Sequence, residues 1–433
     1  MNASAGVHAA NVESAARPLH ERALFASTLL LIGMAAFTGG GSQDRQAGDA
    51  ATQLVAWAVL LLATWRLTIP GVERARSWLL MALAALPVAV ALQRVTGLTL
   101  TPWATERAIW ELVPALAAFA AALSLPRRDL AMLAWAIVGL ATFSLMLGYL
   151  QLGAPQDSSL NPFPEWAPAL NGLYANPNHQ ATSIAVALII VLSWLLHRDE
   201  AGLRHDGRWW ASRVAASGMA LFLLVGLPLT GSRAAVLIAA ATMLAVPVVN
   251  GWLGRRLRHG SWGALAALVA GGLLAGLLLV SASAWLKVDQ EQESRTAIFA
   301  ATTRMATDAL PAGTGTGSFV PYFAAHTPDM QVRHSYLNHA HNEYLQWWLE
   351  GGIGGIAWTM LLLAFVAWAR PRWGSGRRPA WLAVASWLSL VVVLAHSTVD
   401  YPMRTPALLT ITALLAGIAA SCRLAATERA QAP

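Results

Sequence analysis

The segment LAMLAWAIVGLATFSLMLGYLQ, residues 130–151, has no charged side chain and predicts a helix that crosses a lipid bilayer. A transmembrane helix needs about 20 mostly apolar residues to span roughly 30 Å of hydrocarbon. Eleven other segments have the same character, so we expect an all-α polytopic integral membrane protein with about twelve transmembrane helices. The twelve predicted spans are 23–39, 51–65, 77–93, 110–125, 130–151, 179–196, 213–230, 233–250, 262–285, 343–369, 380–397 and 405–422.

The composition excludes the common soluble classes. Of 433 residues, 56% are hydrophobic and only 12% are charged, about half the charge that a soluble surface requires. Soluble α/β, disordered, collagen-like and coiled-coil chains are therefore ruled out. The single cysteine, Cys422, excludes an internal disulfide and a cysteine-based zinc site. The net charge of +7 is scattered between apolar segments, which argues against a nucleic-acid-binding face.

The distribution of Lys and Arg predicts the side of the membrane on which each loop lies. Cytoplasmic termini leave 20 of the 29 basic residues in the cytoplasm, as the positive-inside rule requires. The predicted divisions are a cytoplasmic tail (1–22), spans one to nine (23–285), a long non-cytoplasmic loop (286–342), spans ten to twelve (343–422) and a cytoplasmic tail (423–433), both tails loose. No cleavable signal peptide is expected before the first span. Anchoring does not explain the remaining basic residues, so we expect some of them to bind an anion: Arg45, Arg94, Arg107, Arg233, Lys287, Arg295, Arg304, Arg333 and Arg404.

Two non-cytoplasmic loops, 152–178 and 286–342, are long enough to be functional. The second contains an amphipathic stretch, Ser294 to Leu310, that is suited to lie along the membrane surface. It also carries the Gly-rich segment from Gly313 to Phe319, which is typical of a phosphate nest or of a flexible turn.

The sharpest motif is Asn338-His339-Ala340-His341-Asn342-Glu343, followed by Glu350 and two glycine pairs that would let the tenth span pack closely on a neighbouring helix. With Asn338 as N-cap, His341 lies in the first helical turn, where the helix dipole lowers the imidazole pKa from about 6.5. A neutral imidazole can act as a general base. The alternatives are that both histidines make ordinary interfacial hydrogen bonds, or that they bind a metal with Glu343. No third ligand is obvious, so no metal site is expected.

A second motif, Thr230-Gly231-Ser232-Arg233, begins the eighth span. Ser232 is a plausible N-cap, and Arg233 would oppose the helix dipole, which makes it a functional candidate. Free amides beside a guanidinium favour phosphate binding, although an ordinary interfacial Arg is the alternative. Further polar clusters on the same predicted side are Arg295 with Arg304, Asn176 to Gln180, and His396 to Asp400.

Taken in order, these motifs resemble the O-antigen ligase and O-antigen polymerase superfamily, which includes bacterial protein O-oligosaccharyltransferases. The resemblance covers about 170–410. It rests on Asn176-Pro177-Asn178, Thr230-Gly231-Ser232-Arg233, Arg295 followed by Pro311 to Phe319, and His341-Asn342 with Glu350, Gly352 and Gly355.

The resemblance implies a metal-independent, inverting glycosyltransferase of lipopolysaccharide biosynthesis, in the inner membrane of a Gram-negative bacterium. Its site is periplasmic, and it needs no cofactor. Its partners are a glycan on undecaprenyl pyrophosphate, a lipid A–core acceptor and membrane lipids, without nucleic acid. His341 is the implied base because of its spacing to Glu350, with His339 as a helper, and Arg233 and Arg295 hold the pyrophosphate. The possible supporting residues are Ser232, Asn176, Asn178, Asn342, Glu350, Arg304, His396 and Asp400.

Three reactions share these residues: ligation to lipid A–core, polymerisation of repeat units, and transfer to protein Ser or Thr. We favour ligation because the chain is compact and lacks a sizeable extra C-terminal region. The non-enzymatic alternative is a transporter or flippase. A transporter would place polar residues near the middle of the bilayer, whereas here the polar motifs are predicted at one interface.

Overall fold

The computed structural model describes residues 18–41, 46–68, 74–161, 163, 170–197, 207–252, 290–327, 337–372 and 380–431. Within these residues the chain forms thirteen helices and no strand, so the predicted fold class is confirmed. The helices are α1 Leu19–Thr38, α2 Gln46–Thr68, α3 Arg74–Val95, α4 Pro102–Ser124, α5 Arg127–Leu152, α6 Pro177–Leu196, α7 Gly207–Leu229, α8 Arg233–Val249, α9 Gln290–Asp308, α10 Phe319–His326, α11 Glu343–Ala369, α12 Trp381–His396 and α13 Pro406–Gln431, with a 3-10 turn at Pro402–Arg404.

Eleven of the twelve predicted spans coincide with helices, namely α1 to α8 and α11 to α13. Nine described helices are long and apolar enough to cross a membrane, and α8 and α12 are shorter apolar helices. The ninth predicted span, 262–285, lies outside the described residues. Both predicted tail boundaries differ from the structure: α1 begins at Leu19, inside the predicted tail 1–22, and α13 continues to Gln431, so the segment expected to be a loose tail from 423 is helical to that point.

Small residues let the central helices approach closely. The second half of α4 is almost entirely buried and rich in alanine, and it packs against α2 and α13. A Cβ atom added to Gly417 of α13 would lie 2.8 Å from the backbone oxygen of Phe119, so α13 touches the α4 backbone there. Such contacts replace the hydrophobic driving force that helices lack inside lipid.

Several interhelical connections meet at one end of the bundle, which we call the histidine end. Its backbone hydrogen bonds join Ala407 to Gly39 (3.1 Å), Ala175 to Gly40 (3.1 Å) and Glu343 to Ser397 (3.0 Å). The C-terminus of α1 and the N-termini of α6, α11 and α13 are therefore fixed to one another. Three of the motifs that we predicted to share one side lie on these connected segments: Asn176 to Gln180, Asn338 to Glu343 and His396 to Asp400.

The helix α11 consists of two helical segments joined at Gly352, whose φ is 55° and ψ −133°. The break frees the carbonyl groups of Leu349 and Glu350, which accept hydrogen bonds from the backbone amides of Thr314 and Gly315, both at 2.9 Å. Freed backbone groups at a helix break must find such partners. The Gly-rich segment therefore closes the break in α11.

The expectation that the glycine pairs pack the helix against a neighbouring helix was wrong at Gly352, and of the two readings of the Gly-rich segment the phosphate nest is not supported. A Cβ at Gly352 would lie 2.2 Å from the Pro311 carbonyl oxygen, so Gly352 accommodates the 311–313 segment and not a neighbouring helix. The Gly-rich segment is also not a phosphate nest, because its amides have internal partners. Besides the two bonds to α11, the amide of Gly313 bonds to the Ala309 carbonyl at 2.8 Å, and that of Thr316 to Gln93 Oε1 at 3.2 Å.

The predicted amphipathic stretch forms most of α9. Its buried positions, Ile298, Ala301 and Met305, cluster with Phe319 of α10 and Leu349 of α11. The apolar face of α9 therefore packs against protein, which holds α9 over the start of α11.

Candidate active site

Tyr401 occupies the centre of a cluster of imidazoles at the histidine end. Its ring contacts the rings of His179, His339 and His341, with centroid separations of 4.9, 4.3 and 5.0 Å. Burial, reinforced by the neighbouring Asp400 charge, raises the pKa of Tyr401 to about 12. Histidines from α6 and from the segment before α11 therefore meet around one neutral phenol.

Asp400 is the carboxylate that faces these imidazoles. Its Oδ1 accepts a hydrogen bond from the Tyr401 amide at 2.9 Å, and lies 3.5 Å from His341 Nδ1 and 4.0 Å from His179 Nε2. Burial disfavours the charged form, but the imidazoles of His341, His179 and His396 outweigh it and hold the pKa of Asp400 below its usual value. The Asp400 side chain is 0% exposed, so its charge acts on His341 with little screening by water.

His341 lies in the turn before α11, and not in its first helical turn as we predicted. The prediction that Asn338 caps this helix was wrong: Asn342 is the N-cap, and its side chain accepts a hydrogen bond from the amide three residues later at 3.1 Å. With φ 52°, His341 is the one non-glycine residue of positive φ in the described ranges. Its Nδ1 faces Asp400, while 20% of the side chain stays exposed.

His339, which also contacts Tyr401, belongs to a hydrogen-bonded chain that does not include Asp400. Gln346 Nε2 lies 3.3 Å from His339 Nδ1 and donates to Glu350 Oε1 at 3.0 Å. Glu350 Oε2 in turn accepts from Arg404 Nη1 at 2.9 Å. Burial, together with the Arg404 charge, holds the pKa of His339 well below its ordinary value. The ring is therefore neutral at neutral pH.

The predicted supporting residues of α6 and α12 also reach this cluster. Asn176 is the N-cap of α6: its Oδ1 accepts from the Asn178 amide at 2.8 Å, and its Nδ2 donates to the Tyr401 hydroxyl at 3.4 Å. Asn178 contributes through its backbone. His396 Nδ1 lies 2.6 Å from Thr182 Oγ1, which fixes that imidazole beside α6.

The two predicted cations of α9 differ in position. The positive charge of Arg295 lowers the pKa of Tyr401 against the larger effects of burial and Asp400, so its guanidinium lies within electrostatic range of the cluster. Arg304 is exposed and follows about two and a half helical turns later, which places it on the opposite face of α9. The structure therefore brings Arg295 towards the cluster and leaves Arg304 away from it.

Arg233 is the half-buried first residue of α8, and Ser232 occupies the predicted N-cap position. The Ser232 hydroxyl makes no capping hydrogen bond and is buried without a partner in the described part of the chain. The helices α6 and α8 pack together and run parallel, because α7 returns the chain between them. Arg233 therefore lies at the same end of the bundle as Asn176.

Sequence reasoning missed four residues of this cluster. Tyr401 adjoins the selected Asp400, and His179 lies inside the selected cluster from Asn176 to Gln180, where it was given no role of its own. Gln346 lies seven residues after His339, within the quoted motif region, but nothing in its spacing indicates a bond to that imidazole. Arg404 was one of the unexplained basic residues, and in the structure it pairs with Glu350.

The arrangement is suited to acid–base chemistry on a substrate at the membrane boundary. It offers an accessible imidazole backed by a buried carboxylate, with a cation in electrostatic range. Among the described residues, no group of three or more His, Cys, Asp or Glu side chains is arranged to hold a metal ion. Metal independence itself stays a prediction.

The described helices form a polytopic bundle of membrane-protein character, with a cluster of imidazoles, a phenol and a carboxylate at one end. Residues 218–360 match the family model described as O-antigen ligase. The match confirms the predicted resemblance to the O-antigen ligase and polymerase type of membrane enzyme. It contains Arg233, Arg295, His339, His341 and Glu350, whereas Asp400 and Tyr401 lie beyond it. No curated protein matches the chain.

Proposed function

We propose that this protein is an O-antigen ligase. It transfers a complete glycan from undecaprenyl pyrophosphate to a sugar of lipid A–core, at the periplasmic face of the Gram-negative inner membrane. The observation that carries the proposal is the buried Asp400 carboxylate 3.5 Å behind the accessible ring of His341, in a chain whose residues 218–360 match the O-antigen ligase family model.

His341 is the general base of the proposed reaction. A sugar hydroxyl is a poor nucleophile, and a positioned base accelerates its attack by roughly 10²–10⁴-fold. If the neutral ring donates its Nδ1 proton to Asp400, Nε2 is free to take the hydroxyl proton. Asp400 then stabilises the imidazolium that forms, without taking the proton itself. The distance of 3.5 Å is long for a hydrogen bond, but such pairs commonly tighten when substrate binds.

The deprotonated acceptor oxygen forms a bond to the anomeric carbon while the bond from that carbon to the pyrophosphate oxygen breaks. Attack opposite the leaving group inverts the anomeric centre. Negative charge grows on the departing pyrophosphate, and guanidinium groups stabilise it by charge-assisted hydrogen bonds. We assign this role to Arg233 and Arg295, which support the proposal by lying at the same end of the bundle as His341.

The decisive experiment is reconstitution of the purified protein in liposomes with a polyprenyl-diphosphate-linked glycan. Three acceptors are offered separately: lipid A–core, a second carrier-linked repeat unit, and a Ser/Thr-containing protein. We expect transfer to lipid A–core that is lost in His341→Ala and retained in the presence of a chelator. Chain growth on the carrier would instead indicate a polymerase, and modification of the protein would indicate an O-oligosaccharyltransferase.

The same distinction is available in cells. Deletion of the gene should abolish long-chain lipopolysaccharide and leave polymer on the carrier. Lipopolysaccharide with a single repeat would contradict ligation. Activity that a chelator abolishes and a divalent cation restores would contradict metal independence. Wild-type transfer by folded His341→Ala protein would refute the assignment of the base.

A further inference from the structure

The amide of Gln346 determines the protonation of its neighbour His339. Gln346 Oε1 accepts a hydrogen bond from the Ala340 amide at 3.1 Å, which orients the side chain. Its Nε2 then faces Glu350 Oε1 at 3.0 Å and His339 Nδ1 at 3.3 Å. An amide nitrogen can only donate, so His339 Nδ1 is an acceptor, and the neutral ring carries its proton on Nε2.

The orientation of Gln346 is itself held by a buried ion pair. Glu350 is 2% exposed and Arg404 14% exposed, and they are joined at 2.9 Å. Arg404 also has two buried nitrogens, Nε and Nη2, without a partner in the described part of the chain. Glu350 Oε2 accepts the hydrogen bond from Arg404, which leaves Oε1 free to accept the hydrogen bond from Gln346. The donors and acceptors from Arg404 to His339 can therefore be assigned in only one way.

We propose that His339 is a neutral hydrogen-bond donor to the acceptor substrate, held in that state by the buried chain of Arg404, Glu350 and Gln346. The inference rests on the proposed function and deepens it. His339 and His341 contact the same Tyr401 ring, at 4.3 and 5.0 Å, so the two imidazoles lie beside one aromatic side chain. His341 removes the proton of the acceptor hydroxyl group, and His339 Nε2–H positions its oxygen.

The surroundings of His339 support a neutral ring. The charged or titratable groups that face it are Arg404 from the 3-10 turn, His341 from its own segment and His179 from α6. Each of them, when positive, opposes a charge on His339, as burial does. Gln346 and Arg404 are positioning residues, because they act only through His339.

The first test needs no substrate, so it stands even if the proposed reaction is wrong. Nitrogen NMR of histidine-labelled protein reports which ring nitrogen carries the proton, and His339→Gln identifies the signals of His339. We expect a neutral ring with the proton on Nε2 across the neutral pH range. In Gln346→Glu, a carboxylate replaces the donor, and the His339 proton should move to Nδ1 or the ring should become charged.

The control is Gln151→Glu, which alters another buried glutamine at the same end, one bonded to Gly172 and Leu160. This variant should leave the His339 signals unchanged. A proton on Nδ1 in the wild type would overturn the proposal, as would His339 signals that do not respond to Gln346→Glu in folded protein.

The second test is kinetic and separates donation from proton transfer. The side-chain amide of His339→Gln can still donate near the position of Nε2, so its activity should stay within a factor of about three of wild type. His339→Phe cannot donate, and should raise KM for the acceptor about tenfold with little change in KM for the lipid-linked donor. If His339→Gln loses as much activity as His341→Gln, His339 transfers a proton and the proposal fails.

Discussion

The polar groups around the Tyr401 ring form two sets, which we call the Glu350 side and the Asp400 side, and these differ in whether their side chains hydrogen-bond to one another. On one side, His339, Gln346, Glu350 and Arg404 form a continuous chain of contacts at 2.9–3.3 Å. On the other side, Asp400 approaches His341 and His179 at 3.5 and 4.0 Å without a hydrogen bond to either.

This difference distinguishes residues that position the site from residues that take part in the reaction. A continuous chain of side-chain hydrogen bonds restricts its members to one arrangement, whereas unpaired buried groups cost free energy unless function needs them. Asp400 Oδ2 and His341 Nδ1 are buried without a hydrogen-bond partner in the described ranges. We therefore interpret the Asp400 side as the reactive one and the Glu350 side as its frame. The following substitutions act on one side at a time.

Asp400→Asn should have the largest effect, because it removes the charge that stabilises the His341 imidazolium and keeps the shape of the side chain. We expect a loss of about 10²–10⁴-fold in kcat, with KM for both substrates little changed. Steady-state transfer to lipid A–core measures the effect. An Asp400→Asn variant with wild-type kcat would show that the carboxylate does not act through His341.

Glu350→Leu should reduce stability most, because it leaves the Arg404 guanidinium buried without its partner at 2.9 Å. Breaking a buried ion pair costs about 3–5 kcal/mol, whereas replacing both partners with apolar residues costs much less. The matched control is therefore Glu350→Leu with Arg404→Leu, which should recover most of the lost melting temperature in detergent. If the double variant is no more stable than the single one, Arg404 does not depend on Glu350.

Gly352→Ala should be the next most destabilising change. A Cβ there would lie 2.2 Å from the Pro311 carbonyl oxygen, and a φ of 55° is strained for alanine. The expected cost is about 1–3 kcal/mol, together with lower activity, since the break in α11 lies two residues after Glu350. Gly351→Ala is the control, because nothing lies within 4 Å of its added Cβ. Equal melting temperatures for the two variants would contradict the role of the break.

The transmembrane helices were predicted better than the site, because a span is encoded by neighbouring residues whereas the site depends on contacts between residues distant in sequence. Apolar segments report spans directly, so eleven of them were located, and loop order was sufficient to bring His341, His396 and Asp400 to one end. The cap at Asn342 was missed because Asn338 satisfies the same local rule. The pairing of Arg404 with Glu350 joins residues 54 positions apart, and local spacing carries no information about it.

The smallest expected effect is on stability at acid pH, and it reports on the Asp400 carboxylate without involving the Glu350 side. Because the folded pKa of Asp400 lies below its usual value, near 3.9 in an unfolded chain, the folded state binds fewer protons than the unfolded state. Its contribution to stability is therefore complete above about pH 4 and is lost as the pH falls further, towards the folded pKa. The melting temperature of Asp400→Asn should then decline less than that of the wild type as the pH falls below 4.

Asp157→Asn, at an exposed position, is the control and should follow the wild type. Parallel curves for wild type and Asp400→Asn would mean that the imidazoles do not hold the carboxylate in its charged form, and the reactive side of Tyr401 would lose its anion.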